Sequence, residues 1–220
     1  MSLTQFFSIP TLLFIGTVWF VHLGCTPVTE PTEERRNVPI TATNVEGVVV
    51  KGLAPSVAGG FHSAILFEQD ESPAKPLPRA TVTMDQRGLV FVPGLLVARV
   101  GQEVAFTNGD DVLHNVHVTN AATLETIFNV ATPSNGAYLH IFESVGTYSV
   151  SCDVHPAMAA YILVTEAEYA VVAQRGGQFA LSDIPLGRYT VRVWNVDAKR
   201  RSVRKIDITK DAELNLVTPE

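Results

Sequence analysis

The sequence predicts an all-β protein of the sandwich type, and three observations carry that prediction. Past residue 44 the apolar residues fall in short alternating segments. Gly, Pro, Asn and Asp interrupt those segments at close intervals, and no stretch has the spacing of a long helix. Many short strands separated by turns favour sandwiches over barrels.

The predicted strands run in order as Gly47–Lys51, Ala64–Glu68, Ala80–Met84, Leu95–Val100, Glu103–Asn108, Asn115–Val118, Ala137–Phe142, Thr147–Ser151 and Ala160–Val164. Pro73, Pro76 and Pro78 mark a boundary before the third of these, and a second break in composition follows Thr165. Gln178–Leu181, Arg188–Trp194, Val203–Ile208 and Glu213–Val217 then predict a smaller terminal unit.

Apolar residues make up 46% and charged residues 17% of the 220, a balance suited to compact packing rather than to a solvated chain. The net charge of −6 excludes the basic face of a nucleic-acid binder. The dense basic run Lys199, Arg200, Arg201, Arg204 and Lys205 reads as one solvated hairpin.

Residues 1–25 read as an export signal. Phe6 to Val21 is almost wholly apolar, yet at about sixteen residues it is short for a membrane span and suits a signal-peptide core. No Lys or Arg precedes it. Leu23-Gly24-Cys25 resembles the end of a bacterial lipoprotein signal, although His22 stands where an aliphatic residue is usual. Lipidation of Cys25 and attachment to a membrane are therefore expectations, and so is a periplasmic or cell-envelope location. Residues 26–44, rich in Pro, Thr and Glu, read as a flexible tether.

The chain has two Cys, and one of them sits at this processing site. A Cys25–Cys152 disulfide asks for a defined geometry from a residue that is lipidated, cleaved away or tethered. Cys152 is then an unpaired thiol in an oxidising compartment, where burial or a metal is needed to protect it.

The chemistry is concentrated in Ser151-Cys152-Asp153-Val154-His155-Pro156-Ala157-Met158, which spaces thiolate, imidazole and thioether three residues apart. A strand sends residues three apart to opposite faces, so the segment after Cys152 must leave the strand and curl, with Pro156 fixing its own φ. His114, after the polar turn Asn108-Gly109-Asp110-Asp111, supplies a second imidazole. Taken singly, a Cys or Met in such a protein is commonly core and a His commonly a surface group. Taken together, two His, one Cys and a weak axial Met form the donor set of a mononuclear copper ion that carries electrons. Zinc has no customary use for a thioether, so Met158 counts against it.

At these residues the chain resembles the cupredoxins, most closely the amicyanin and pseudoazurin-like blue copper proteins. The resemblance covers residues 79–165 through Phe91-Val92-Pro93, Val100-Gly101-Gln102-Glu103-Val104, His114-Asn115-Val116-His117, Gly146-Thr147-Tyr148 and Cys152-x-x-His155-x-x-Met158. It implies a Greek-key β-sandwich, one copper ion held by His114, Cys152, His155 and Met158, and electron transfer without enzymatic turnover. It also implies that His117 is not a ligand and that backbone around Asn115 hydrogen-bonds the sulfur. His62 and His140 read as surface residues.

The segment from Gly177-Gln178-Phe179 to Asp183-Ile184-Pro185-Leu186-Gly187-Arg188-Tyr189 resembles the carboxypeptidase regulatory-like, or transthyretin-like, β-sandwich. Residues 45–70 and 166–220 are expected to form this second, smaller sandwich, with the copper domain inserted into it or packed against it. A spacer or docking role is implied.

The charge is uneven, with seven basic and fourteen acidic residues over 26–165 against nine and eight over 166–220. Steering toward a basic redox partner, a cytochrome or a dehydrogenase, is the expectation that follows. A copper chaperone or storage protein, a multicopper enzyme, and a surface scaffold without metal are the alternatives. The enzyme requires further His clusters, for which His62, His117 and His140 are too scattered.

Overall fold

The structure, a computed structural model, describes residues 47–56, 62–71 and 80–217. The export segment with Cys25, the tether and the boundary at Pro73, Pro76 and Pro78 lie outside the described residues. What is described is all-β, as the alternation of the sequence predicts: sixteen strands and one 3-10 turn at Ala198–Arg200.

Nine strands make a pair of facing sheets. One sheet orders β4 (Phe91–Val92), β3 (Val82–Gln86), β6 (Glu103–Asn108) and β9 (Ala137–Ile141). The other orders β5 (Leu95–Arg99), β11 (Ala159–Thr165), β10 (Gly146–Ser151), β7 (His114–Asn120) and β8 (Thr126–Thr132). Pairing of β3 with β6 and of β5 with β11 gives each sheet one parallel pair, and β6–β9 and β10–β7 join further strands that are not consecutive in the chain. Between the sheets lies a core that includes Met84, Phe106, Val116, Val118, Val150 and Ile162, all essentially inaccessible.

The remaining strands come from both ends of the described chain. β1 (Val48–Leu53) pairs with β13 (Gln178–Ile184) and β16 (Ala212–Asn215). β2 (Ala64–Gln69) lies between β12 (Tyr169–Val172) and β14 (Gly187–Trp194), and β15 (Ser202–Ile208) completes that sheet. Their shared core is built on Ile65, Phe67, Ile184, Tyr189, Val191 and Ile208. Gly52 in β1 is required by proximity: a Cβ there would stand 2.0 Å from the Leu214 carbonyl oxygen of β16.

A third, smaller cluster joins the two pairs of sheets. Leu95 and Leu163 from one pack with Ala64, Leu66 and Trp194 from the other. The Trp194 indole N–H donates to the Thr147 hydroxyl at 3.0 Å, so the ring is buried without losing its hydrogen bond.

Three observed strands, β4, β8 and β12, have no counterpart among the predicted ones. β8 is the clearest case. It is an edge strand in which Phe128 and Val130 are half-buried while apolar Ile127 and Ala131 lie on the exposed face, so no apolar alternation announces it.

Candidate metal centre

Strand phase delivers the site. In β10 the inward positions are Tyr148 and Val150, and Cys152 continues that phase one step past the strand end, 2% exposed. In β11 the inward positions are Ala160, Ile162 and Val164, and Met158 continues that phase one step before the strand, fully buried. The two strands are antiparallel with Ser151 opposite Ala159, so Cys152 and Met158 are the next pair across the ladder. The Cys152 N–H donates to the Met158 carbonyl at 3.3 Å and extends it. Cys152 and Met158 are therefore neighbouring feet of one hairpin loop, both turned into the same core.

His155 stands at the middle of that loop. A turn closed by the Met158 N–H donating to the His155 carbonyl at 2.9 Å curls the chain back, as the three-residue spacing requires. His155 is half-buried, whereas Pro156 and Ala157 beside it are exposed. His114 opens β7, the strand on the other side of β10, with Val116 and Val118 in the same inward phase; its exposure is 0%.

The donor atoms converge. His114 Nδ1 lies 3.8 Å from Cys152 Sγ, His155 Nδ1 lies 3.9 Å from the same sulfur, and the two nitrogens are 2.9 Å apart. All three atoms fall within 4.8 Å of one another, the one such group of three among the described residues. Bonds of about 2.0–2.1 Å to nitrogen and about 2.3 Å to sulfur in a trigonal plane separate nitrogen from sulfur by roughly 3.8 Å. Both sulfur–nitrogen distances match. The nitrogen–nitrogen separation is that of a hydrogen bond from one imidazole to the other. Soft sulfur and two imidazoles fit an ion that accepts both hard and soft donors, and Met158 is buried at the foot of the same loop.

Around the donors stand groups that the sequence reading did not single out. Asp110 Oδ2 lies 3.0 Å from His114 Nε2. Its carboxylate also accepts the backbone N–H groups of Gly88 at 2.7 Å and Leu89 at 3.0 Å. The Leu89 and Gly88 amides, with His114 adding to them, hold the Asp110 carboxyl down at about 2. Asn108 secures the approach: its amide donates to the carbonyls of Val112 and Thr132, and its oxygen accepts the Asp110 N–H. The only signal for Asp110 in the sequence is its place four residues before His114.

Asn115 holds the other side. Its Oδ1 accepts the Asp153 N–H at 2.7 Å and lies 3.3 Å from Cys152 Sγ. The contact to the sulfur thus comes from the Asn115 side chain, where the family likeness implied backbone. Its Nδ2 donates to Asp153, which also receives Asn129 and faces His117 Nδ1 at 3.0 Å. Hydrogen bonds from Asn129 first, then His117 and Asn115, keep the Asp153 carboxyl below the usual range. His117 spends its other nitrogen on Thr126 at 3.1 Å and stands outside the donor triangle. His140 is half-buried rather than a free surface group: it packs on Phe128 and Phe142, and burial lowers its pKa.

No protein-family model and no curated protein matches the sequence. Solved structures do. A purple cupredoxin from Nitrosopumilus maritimus is 24% identical, with 38% of this chain covering 99% of that one at a TM-score of 0.34. The amicyanin of Paracoccus versutus is 20% identical, with 45% covering 97% at 0.36. A copper-containing nitrite reductase from Thermus scotoductus is 26% identical over 44% of this chain, at 0.37, but this chain spans only 25% of its length. At these scores the likeness bears no weight for function, which rests on the donors themselves.

Proposed function

We propose that this protein is a type 1, or blue, copper protein that shuttles single electrons between exported redox partners, with one copper held by His114, Cys152, His155 and Met158. The observation that carries this reading is the meeting of two imidazole Nδ1 atoms and one free, buried thiol, with both sulfur–nitrogen separations suited to a trigonal ion. Copper supplies a one-electron couple at such a site. Cys152 contributes the soft, covalent donor, and its burial protects the sulfur from oxidation. His114 and His155 hold the trigonal plane, and Met158 is assigned the weak axial position. With the four donors occupied, no equatorial position is open to substrate, and the protein is read as a carrier and not an enzyme.

His155 is the proposed exit for the electron, because it alone of the four is not fully buried. Exposed Leu113, Pro156, Ala157 and Ala159 surround its loop and suit a small, short-lived redox interface. The acidic balance of residues 26–165 favours a basic partner, such as a cytochrome or a dehydrogenase, with an association rate that falls as salt rises. No nucleic acid is expected as a partner. Attachment to the cell envelope through Cys25, and a spacer or docking role for the second sandwich as a carboxypeptidase regulatory-like unit, belong to the same proposal.

The test is to add Cu(II) to the purified protein and to record visible and paramagnetic resonance spectra for wild type and Cys152→Ser. An intense thiolate-to-copper band is expected in the wild type and lost in the variant. Stoichiometric copper binding without that band in the wild type would overturn the reading. Rapid surrender of Cu(I) to a chelator, with no electron exchange, points instead to a chaperone or storage protein. Met158→Leu is expected to keep the colour and raise the potential, since a donor to the oxidised ion is lost.

A further inference from the structure

Asp110 is positioned with more care than a loop carboxylate needs. Gly88 and Leu89, both with left-handed backbone at φ 67° and 59°, aim successive N–H groups at it from the β3–β4 turn. Its Oδ1 takes the Gly88 amide, and its Oδ2 takes the Leu89 amide and faces His114 Nε2 at 3.0 Å. The Asp110 side chain is 16% exposed and that of His114 0%. Asp111, the next residue, is exposed.

We propose that Asp110 is a positioning residue for the copper couple: it pins the proton of His114 on Nε2, so that Nδ1 offers its lone pair to the metal, and its charge favours the oxidised ion. This inference rests on the copper reading above. An ionised carboxylate can only accept, so a hydrogen bond between Oδ2 and Nε2 requires the proton to sit on Nε2. In the neutral imidazole Nδ1 is then unprotonated, and it faces Cys152 Sγ and His155 Nδ1. Carboxylate partners of this kind fix the orientation of a ligating imidazole and raise its basicity. A fixed negative charge beyond the imidazole stabilises Cu(II) more than Cu(I), because the oxidised ion carries one more positive charge.

Two measurements on the full chain test this. The first needs no copper: long-range proton–nitrogen spectra of the copper-free protein are expected to show His114 protonated at Nε2 and bare at Nδ1. Asp110→Ala is expected to mix the two forms. The second is the copper potential. Asp110→Ala and Asp110→Asn are expected to shift the ratio of Cu(I) to Cu(II) affinity by about tenfold or more toward Cu(I), which is about 59 mV upward for one electron. Asp110→Asn, which keeps an acceptor but not the charge, should retain the wild-type tautomer and still raise the potential. If both variants keep the wild-type tautomer and potential while the copper-free protein loses stability, Asp110 only clamps the β3–β4 turn and the inference fails. If the wild type shows no thiolate-to-copper band, the copper reading fails instead, and the copper-free spectra still decide whether Asp110 sets the tautomer.

Discussion

The two pairs of sheets in this chain bury polar side chains for different ends. In the pair built from β1, β2 and β12–β16, Asn195 donates to Ser63, which donates to the Pro55 carbonyl, and the Tyr189 hydroxyl donates to the Pro185 carbonyl. Both of these runs of hydrogen bonds end on the backbone, and their capacity is spent on holding loops. In the pair built from β3–β11, Asn108 and Asn115 do similar work, but the imidazoles of His114 and His155 turn nitrogens toward a sulfur at the rim of an apolar core. Buried polarity is structural where it is saturated from within the chain. It becomes a candidate site where donor atoms converge on one point with lone pairs still to share.

If that contrast is right, damage to one core leaves the other's chemistry intact. The largest expected effect is that of Phe67→Ala, which removes a fully buried ring from the core around Tyr189. The copper-free protein should lose about 3–5 kcal/mol in denaturant unfolding, while the folded fraction still takes up copper with unchanged colour. Loss of colour along with stability would show that the two cores act as one. Asn108→Ala should cost less, about 1–3 kcal/mol, because it strips donors from the carbonyls of Val112 and Thr132. Unlike Phe67→Ala, it should also weaken copper binding, since the same loop carries Asp110 toward His114.

Tyr189→Phe removes one hydrogen bond and is expected to cost about 0.5–1.5 kcal/mol at neutral pH. Burial, with Tyr169 and Glu168 nearby, pushes the Tyr189 hydroxyl up to about 12 in the folded protein. The unfolded chain therefore releases this proton first, near the ordinary tyrosine value, and stability falls as pH rises from about 10 toward 12. That alkaline slope should flatten in Tyr189→Phe; an unchanged slope in thermal unfolding across that window would reject the assignment. Smallest of all is Glu68→Ala, which breaks the partly exposed pair with Arg192. A cost of about 0–1 kcal/mol, shrinking with added salt, is expected from equilibrium unfolding.

Much of the strand order was legible because apolar alternation with turn residues between is a local signal. Glu103–Asn108 is predicted and observed with the same limits. β8 escaped because its apolar residues come in adjacent pairs, Ile127-Phe128 and Val130-Ala131, and so fall on both faces, and β4 because two residues are too few to show a pattern. The donor types at the site were legible for another reason: thiol, imidazole and thioether at equal intervals after a strand are rare together. Asp110, by contrast, looks like any acid in a polar turn. Its meaning comes from the Gly88 and Leu89 amides, which lie more than twenty residues earlier in the chain.

By itself, then, the sequence determined that this chain is all-β, where most of its strands run, and which side chains are capable of holding a soft ion, because periodicity and residue chemistry are properties of neighbours. Tertiary structure alone decided which nitrogens face the sulfur, which asparagine touches it, and which carboxylate stands behind His114. Those are matters of register and turn geometry between β3, β7, β10 and β11, and residues distant in the chain acquire them only when the sheets close over a shared core.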